Sequence, residues 1–178
     1  DEDELVREAK DRLDKLLEHS RKNVEEAEKR LRDLLEHSKK NVEEAERLLE
    51  EIEEEARRSG KSKEVLDRLR KKARDLKEES KDYLRKLEEE VRRIVRKSEE
   101  YLKRLKDRVD EVKERLDKGR RPLEEVRKEV KKEIDDWRAR DEEHHRDVKR
   151  REEEWERKDE EHHRKVEEVI ERLKRELK

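Results

Sequence analysis

Cysteine, methionine and phenylalanine are absent from this chain of 178 residues, which also has only two glycines and one proline. Without cysteine there are no disulfides, no thiolate zinc sites and no thiol chemistry. Two glycines are too few for a glycine-rich loop that cradles phosphate groups. These absences exclude several common classes of enzyme and of zinc protein before any pattern is considered.

Long apolar runs are also absent, since hydrophobic residues make up 26% of the chain and charged residues 64%. No run approaches the ~20 residues that a membrane-spanning helix needs, and no segment has the features of a signal peptide. The 56 basic and 58 acidic residues give a formal net charge of -2, whereas a nucleic-acid-binding protein carries a basic excess. We therefore expect a soluble protein with no nucleic-acid or membrane partner.

The rest of the sequence is typical of helix, because Glu, Lys, Arg and Leu dominate and all four are strong helix formers. Gly60 and Gly119 match the residue that follows a helix end, Ser62 is a suitable N-cap, and Pro122 suits a first helical turn. The sequence thus predicts an all-α fold, a single-chain antiparallel three-helix bundle that forms one domain. Its predicted parts are helices at about 3–58, 63–117 and 122–177, with loops at 59–62 and 118–121, within a domain of residues 1–178.

Apolar residues form one stripe along each predicted helix. In the first helix the stripe starts at Ala9, Leu13 and Leu16, and its steps of 4, 3, 4, 4 and 3 residues repeat every 18 residues, a period of 3.6. A period of 3.5 would impose a left-handed supercoil, so a period of 3.6 predicts long and nearly straight helices. One stripe per helix means that each helix buries one face, as a three-helix bundle requires.

Polar residues interrupt these stripes at two levels. Residues 18 apart lie in one column on a straight helix, and the column of Leu123, Asp141, Asp159 and Leu177 is apolar at its ends and polar in its middle. Similar columns contain the serines, asparagines, tyrosines and one histidine pair. The polar side chains in these columns are therefore expected to face inward. The columns of His19 and His145 also contain charged residues, which places these two further from the core.

The antiparallel register collects the polar residues into two layers, with three of the six histidines in each. Layer 1 is predicted to contain His19, Ser20, Asn23, Ser98, Tyr101, Trp137, Asp141, His144 and His145. Layer 2 is predicted to contain His37, Ser38, Asn41, Ser80, Tyr83, Trp155, Asp159, His162 and His163. Buried polar groups cost about 1–3 kcal/mol each when unpaired, so each layer is expected to be a hydrogen-bond network.

Such layers predict a response to acid. Burial disfavours a charged imidazole, so a buried neutral histidine has a lowered pKa, and its protonation removes a hydrogen-bond acceptor. Asp141 and Asp159 oppose this effect, because a carboxylate three or four residues away favours an imidazolium. We expect a structural scaffold whose folding or assembly is pH-responsive, with no enzymatic activity, no catalytic residues, no metal and no cofactor.

The repeated His-Ser-x-x-Asn and Asp-x-x-His-His modules, the 18-residue repeat and the two short glycine loops carry a resemblance. With its Glu-, Lys- and Arg-rich surface, the whole chain resembles de novo designed helical bundles with modular buried histidine networks, the pH-responsive bundle and assembly type. The resemblance implies a designed scaffold without natural biochemical activity and without a natural location, expected in the cytoplasm of an expression host. The sequence departs from most oligomeric members of that group, since it has no broad apolar stripe beyond its own core.

Three alternatives remain at this stage. His19, Asp141 and His144 can supply three ligands to a zinc ion with one open position. Ser20, Asp141 and His144 provide the residue types of a catalytic triad, although nothing supplies an oxyanion hole or a substrate cleft.

The third alternative is a subunit of a pH-responsive filament or oligomer, in which the partner is a second copy of the chain. Residues 1–58 have a net charge of -7 and residues 63–118 have a net charge of +5, a contrast that suits either internal pairing or lateral contacts. No other partner is required.

Overall fold

The structure is a computed structural model that describes residues 2–119 and 121–178, so Asp1 and Arg120 of the predicted domain and second loop lie outside it. Of the described residues, 95% are helical and none belongs to a strand. Helix α1 spans Glu2–Arg58, α2 spans Lys63–Lys118 and α3 spans Leu123–Leu177. They form an all-α antiparallel three-helix bundle, which confirms the predicted fold class. Each helix boundary lies within one residue of its predicted position.

The connection between α1 and α2 has the predicted cap residues. Gly60 has a φ of 68°, the left-handed conformation that commonly follows a helix end. The Ser59 hydroxyl donates to the Ala56 carbonyl at 2.7 Å, which satisfies one of the last carbonyls of α1. At the start of α2, the Val65 N–H donates to the Ser62 hydroxyl at 3.4 Å, as expected of an N-cap serine.

The connection between α2 and α3 differs from the first. Gly119 directly follows α2, but among the described residues only Gly60 has a positive φ, so Gly119 is not a left-handed cap. The Pro122 carbonyl accepts hydrogen bonds from the N–H groups of Glu125 at 3.0 Å and Val126 at 3.2 Å. Pro122 therefore precedes the first turn of α3 and accepts its first hydrogen bonds.

The contacts divide the chain into two compact units, each with one segment from every helix. Unit 1 contains the described residues of 1–30 and 93–151, and unit 2 contains residues 31–92 and 152–178. All nine predicted residues of layer 1 belong to unit 1, and all nine of layer 2 belong to unit 2. Each layer can therefore be described within its own unit.

Each unit has an apolar core beside its polar layer. The core of unit 1 consists of Ala9, Leu13, Leu16, Leu105, Val109, Val112, Leu116, Val126, Val130, Ile134 and Trp137. The core of unit 2 consists of Ala45, Leu49, Ile52, Ala56, Leu69, Ala73, Leu76, Val166, Ile170 and Leu173. Leu116 and Val126 extend the predicted stripes of α2 and α3 by one step, and the other core residues belong to the stripes themselves. Burial of one face per helix therefore supplies the hydrophobic stabilisation of each unit.

The exposed side chains are mostly charged. Among the described residues, Leu123 is the only large hydrophobic side chain that is exposed, at 37%. Ion pairs join neighbouring helices within each unit, as between Arg108 and Glu133 in unit 1 and between Lys72 and Glu176 at 3.2 Å in unit 2. None of the described helices has an apolar stretch long enough to cross a membrane.

Candidate functional site: two polar layers in the helical core

The serines and aspartates of both layers are buried, in agreement with their columns in the sequence. Within the core lie six of these side chains, Ser20, Ser38, Ser80, Ser98, Asp141 and Asp159. The tyrosines and asparagines, together with His144, His145 and His162, are half-buried. Each layer therefore has serine and aspartate at its centre and larger polar groups around them.

Layer 1 contains two short hydrogen-bonded links between α2 and α3. The Tyr101 hydroxyl donates to Asp141 Oδ1 at 3.1 Å, and Ser98 Oγ lies 3.1 Å from His144 Nε2. Ser20 contributes a fully buried hydroxyl from α1, but its Oγ has no hydrogen-bond partner. In layer 1, α1 is therefore not joined to the Tyr101–Asp141 link by a hydrogen bond from Ser20.

Layer 2 has the same two links and a third one. The Tyr83 hydroxyl donates to Asp159 Oδ1 at 2.9 Å, and Ser80 Oγ lies 3.0 Å from His162 Nε2. In addition, the Ser38 hydroxyl donates to Asp159 Oδ1 at 2.5 Å. Asp159 therefore joins all three helices of unit 2, because Ser38 lies on α1, Tyr83 on α2 and Asp159 itself on α3.

A stacked tyrosine and histidine lie beside each aspartate. The rings of Tyr83 and His162 are 4.4 Å apart with an angle of 13° between their planes, and those of Tyr101 and His144 are 4.6 Å apart at 10°. Each histidine is therefore fixed twice, by its serine at Nε2 and by the tyrosine against its face. Aromatic stacking of this kind adds roughly 0.5–1.5 kcal/mol beyond the area it buries.

The tryptophans adjoin the layers but do not donate to them as predicted. Trp137 is 7% exposed, and its Nε1–H donates to Glu133 Oε1 at 3.2 Å, a partner outside the predicted layer. Glu133 also pairs with Arg108 of α2. Sequence reasoning missed Glu133, although its position one helical turn before Trp137 was a usable signal. Trp155 is half-buried, and the centroid of its ring lies 6.2 Å from the centroid of the Tyr83 ring.

Three of the six histidines assigned to the layers, His19, His37 and His163, are exposed, so the layers contain fewer inward histidines than predicted. His19 and His37 lie 3.4 and 3.3 Å from the amide nitrogens of Asn23 and Asn41, each on its own helix. These two pairs are local to the flank of α1. The physical reason is angular, since His19 and His37 each precede a buried serine by one residue, which is about 100° of helical rotation.

His163 and His145 occupy matching positions but have different surroundings. His163 Nε2 lies 2.9 Å from Glu167 Oε1 on the surface of α3. His145 is half-buried, and the residue four positions further along is Lys149 instead of a carboxylate. The described structure therefore places only His144 and His162 in direct hydrogen bonds to the serines of the core.

Burial lowers the pKa of His144 below its ordinary value of 6.5, since desolvation penalises the imidazolium more than the nearby charges favour it. Asp141 and Asp147 act in the opposite direction and raise the pKa, while His145 and Arg151 lower it further. The partners from α2, Ser98 and Tyr101, are neutral hydroxyl groups.

His162 has a lowered pKa for the same reason, burial. Glu79 of α2 and Asp159 of α3 raise this pKa, and Lys165 and His163 lower it. Since Lys165 forms an ion pair with Glu79, these two charges partly compensate each other near the ring. The pKa of the inward histidine is thus lowered in both units.

The tyrosine hydroxyls are held in their protonated form. Burial is the main reason that the pKa of Tyr83 and of Tyr101 lies above its ordinary value of 10, and the neighbouring aspartates add to the effect. At Tyr83 the Ser38 hydroxyl opposes the shift. Each tyrosine therefore acts as a donor to its aspartate at neutral pH.

The cavities beside the two inward histidines are small. In unit 1 a cavity of about 10 Å³ adjoins Ser98, Asp141 and His144, and in unit 2 one of about 10 Å³ adjoins Ser80 and His162. Such a volume is about the minimum for one water molecule. These cavities have no space for an organic substrate, although a wider groove of about 570 Å³ passes His19 on the surface of unit 1.

The geometry gives little support to the metal and triad alternatives. Among residues 2–119 and 121–178, no three His, Asp or Glu side chains converge in a way that could hold a metal ion, so His19, Asp141 and His144 do not form the suggested zinc site. The serine that contacts His144 is Ser98 and not Ser20, and Asp141 accepts a hydrogen bond from the Tyr101 hydroxyl. Ser98 is also buried at 2% exposure, which keeps its hydroxyl away from a substrate.

Comparison with known proteins finds no family model, no curated protein and no solved structure that matches the chain.

Proposed function

We propose that the chain is a structural scaffold whose folding or assembly responds to pH through its two polar layers, and that His144 and His162 are the sensing groups. The observation that carries this proposal is the pair of serine–histidine contacts, Ser98–His144 and Ser80–His162, each in a half-buried setting that lowers the histidine pKa. The resemblance to de novo designed bundles with histidine networks supports the same proposal.

The direction of the pH effect follows from the lowered pKa values. In the unfolded chain these histidines titrate near ~6.5, and in the folded protein they titrate at lower pH. Above ~6.5 the two imidazoles are neutral in both the folded and the unfolded state, and their contribution to the stability is fully present. As the pH falls below ~6.5 the unfolded chain takes up protons first, so stability is lost until the pH passes the folded pKa.

Protonation also has a direct structural consequence. With its proton on Nδ1, a neutral imidazole accepts a hydrogen bond from the serine hydroxyl at Nε2, whereas an imidazolium can only donate. Protonation then reverses the contacts at Ser98 and Ser80, because Nε2 becomes the donor and the serine hydrogen needs another acceptor inside the core. The response to acid therefore combines the rearrangement of a buried hydrogen bond with the cost of a partly desolvated charge.

The test replaces both inward histidines, His144→Gln with His162→Gln, and measures the free energy of unfolding by denaturant between pH 8 and pH 4.5. We expect a weaker pH dependence than in the parent, above the range near ~4 in which surface carboxylates titrate. The matched control replaces the exposed pair, His19→Gln with His37→Gln, and should keep the parental pH dependence. An unchanged pH dependence in the first variant, or loss of it in the control, would contradict the assignment.

A further inference from the structure

The side chains that are most easily oxidised form two isolated groups in this protein. Cysteine and methionine, the usual sites of side-chain oxidation, are absent, and the chain has only two tryptophans and two tyrosines. Each tyrosine contacts one tryptophan, with ring centroids 6.2 Å apart for Tyr83 and Trp155 and 6.0 Å apart for Tyr101 and Trp137. An electron removed from the protein therefore comes from one of these two pairs.

Each tyrosine also has a fixed proton acceptor. One-electron oxidation makes a phenol strongly acidic, so a tyrosine is oxidised readily only if a base can take its proton in the same step. The Tyr83 hydroxyl donates to Asp159 Oδ1 at 2.9 Å, and Tyr101 donates to Asp141 Oδ1 at 3.1 Å. An ionised carboxylate has free acceptor capacity, and at these distances the proton needs to move only along an existing hydrogen bond.

Unit 2 has the more accessible of the two groups. Trp155 is half-buried, so an oxidant in solution can reach the indole, whereas Trp137 is 7% exposed. The His162 ring covers one face of Tyr83 at 4.4 Å, which shields the phenol from direct attack. Access thus exists at the tryptophan, and the proton acceptor lies at the tyrosine.

We propose that Trp155, Tyr83 and Asp159 form a proton-coupled electron-transfer group that stores one oxidising equivalent as a neutral tyrosyl radical. The oxidant is an outer-sphere one-electron acceptor, such as a ruthenium(III) polypyridyl complex. The ruthenium takes one electron from the Trp155 indole and becomes ruthenium(II). Tyr83 then returns one electron to the indole and transfers its hydroxyl proton to Asp159 Oδ1.

The balance of this step is complete. Tyrosine, aspartate carboxylate and ruthenium(III) become tyrosyl radical, aspartic acid and ruthenium(II), with Trp155 restored to its starting state. One O–H bond of Tyr83 is broken and one O–H bond of Asp159 is formed. Tyr101, Asp141 and Trp137 are the second copy of the group, in which the buried indole slows the first electron transfer. The proposal does not depend on the response to pH.

The test generates ruthenium(III) tris(bipyridine) by laser flash in the presence of the full chain and follows indole and phenoxyl radicals by transient absorption and electron paramagnetic resonance. The background carries Trp137→Phe and Tyr101→Phe so that only unit 2 reacts, and the parent is measured beside it. We expect the tryptophan radical to be replaced by a tyrosyl radical. A tryptophan radical that decays without forming a tyrosyl radical would overturn the proposal.

The proton acceptor is tested by Asp159→Asn, which keeps the size and a carbonyl acceptor but cannot hold the proton. We expect the yield of tyrosyl radical to fall at least tenfold, with circular dichroism confirming that the helices remain. An unchanged yield in the folded variant would overturn the role of Asp159.

A second measurement needs no substitution at Asp159. With an internal acceptor, the rate of tyrosyl formation in the parent should be independent of buffer concentration and slower in D₂O. A rate that increases in proportion to the buffer base would show that solvent takes the proton, which would overturn the proposal whether or not Asp159→Asn folds.

Discussion

The two units contain the same polar residue types at the same spacing of 18 residues, yet they do not bond in the same way. In unit 2, Asp159 accepts hydrogen bonds from Tyr83 and Ser38, which link all three helices. In unit 1, Asp141 accepts one from Tyr101, and the Ser20 hydroxyl is buried without a partner. The same repeated residues thus form a hydrogen-bond network across three helices in unit 2 but only across two helices in unit 1.

The residues around the layers account for a second difference. Trp137 donates to Glu133, which also pairs with Arg108, so this indole is fixed in the apolar core of unit 1. The position one turn before Trp155 is occupied by Arg151, which cannot accept a hydrogen bond from an indole. Trp155 is half-buried and lies outside the core cluster of unit 2. The environment of each tryptophan therefore depends on neighbouring residues that are not part of the repeat.

The largest effect is expected from removing the two aspartates one at a time. Asp159→Leu leaves two donors without an acceptor and should lower the free energy of unfolding by about 3 kcal/mol, whereas Asp141→Leu leaves one and should cost about 1.5 kcal/mol. Denaturant unfolding at pH 7.5 measures both, and the corresponding Asn variants are controls that keep one acceptor oxygen. Equal losses would show that the layers are energetically equivalent, as their sequences alone suggest.

Smaller effects are expected for the two serines of α1, and the change in stability should differ in direction between them. Ser38→Ala removes a hydrogen bond to a buried carboxylate and should cost about 1–2 kcal/mol. Ser20→Ala removes a buried hydroxyl that has no partner, so the stability should stay the same or rise by up to about 1 kcal/mol. Denaturant unfolding at pH 7.5 measures the change in stability of both variants. A similar loss in both variants would mean that Ser20 is hydrogen-bonded in solution.

The smallest effect concerns the fluorescence of the two tryptophans, which depends on how exposed each indole is. Trp155→Phe leaves only the buried Trp137, and Trp137→Phe leaves only the half-buried Trp155. We expect the protein that retains Trp137 to emit at shorter wavelength and to be quenched less by acrylamide. If the two single-tryptophan proteins were quenched equally, the difference in burial between the units would be contradicted.

Much of the fold follows from the sequence, because its signals are local. The helix boundaries depend on cap residues such as Gly60 and Ser62, which act through backbone groups a few residues away. The burial of Ser98 and Asp141 follows from their columns, since residues 18 apart share one face of a helix with a period of 3.6. The straightness of the helices stays a prediction of the same repeat.

The histidines and the bonding within the layers were harder to predict. A column gives the mean direction of a residue, but His19 lies one residue from Ser20 and its long side chain can turn to solvent, where it meets Asn23. The difference between Ser20 and Ser38 lies in whether the hydroxyl has a hydrogen-bond partner on another helix, which is not a local property of the sequence. A repeat that makes both positions identical in sequence contains no information about such differences.

Gly60 gives the first connection a stereochemical property that the helices lack. Its φ of 68° is close to the mirror image of a right-handed helical value, and a Cβ added to it would meet no atom within 4 Å. An L-residue is therefore disfavoured there by its own backbone and not by crowding. A D-amino acid would prefer this conformation and fit the open space, so replacing the achiral residue by D-alanine would restrict the unfolded chain while leaving every helical contact in place.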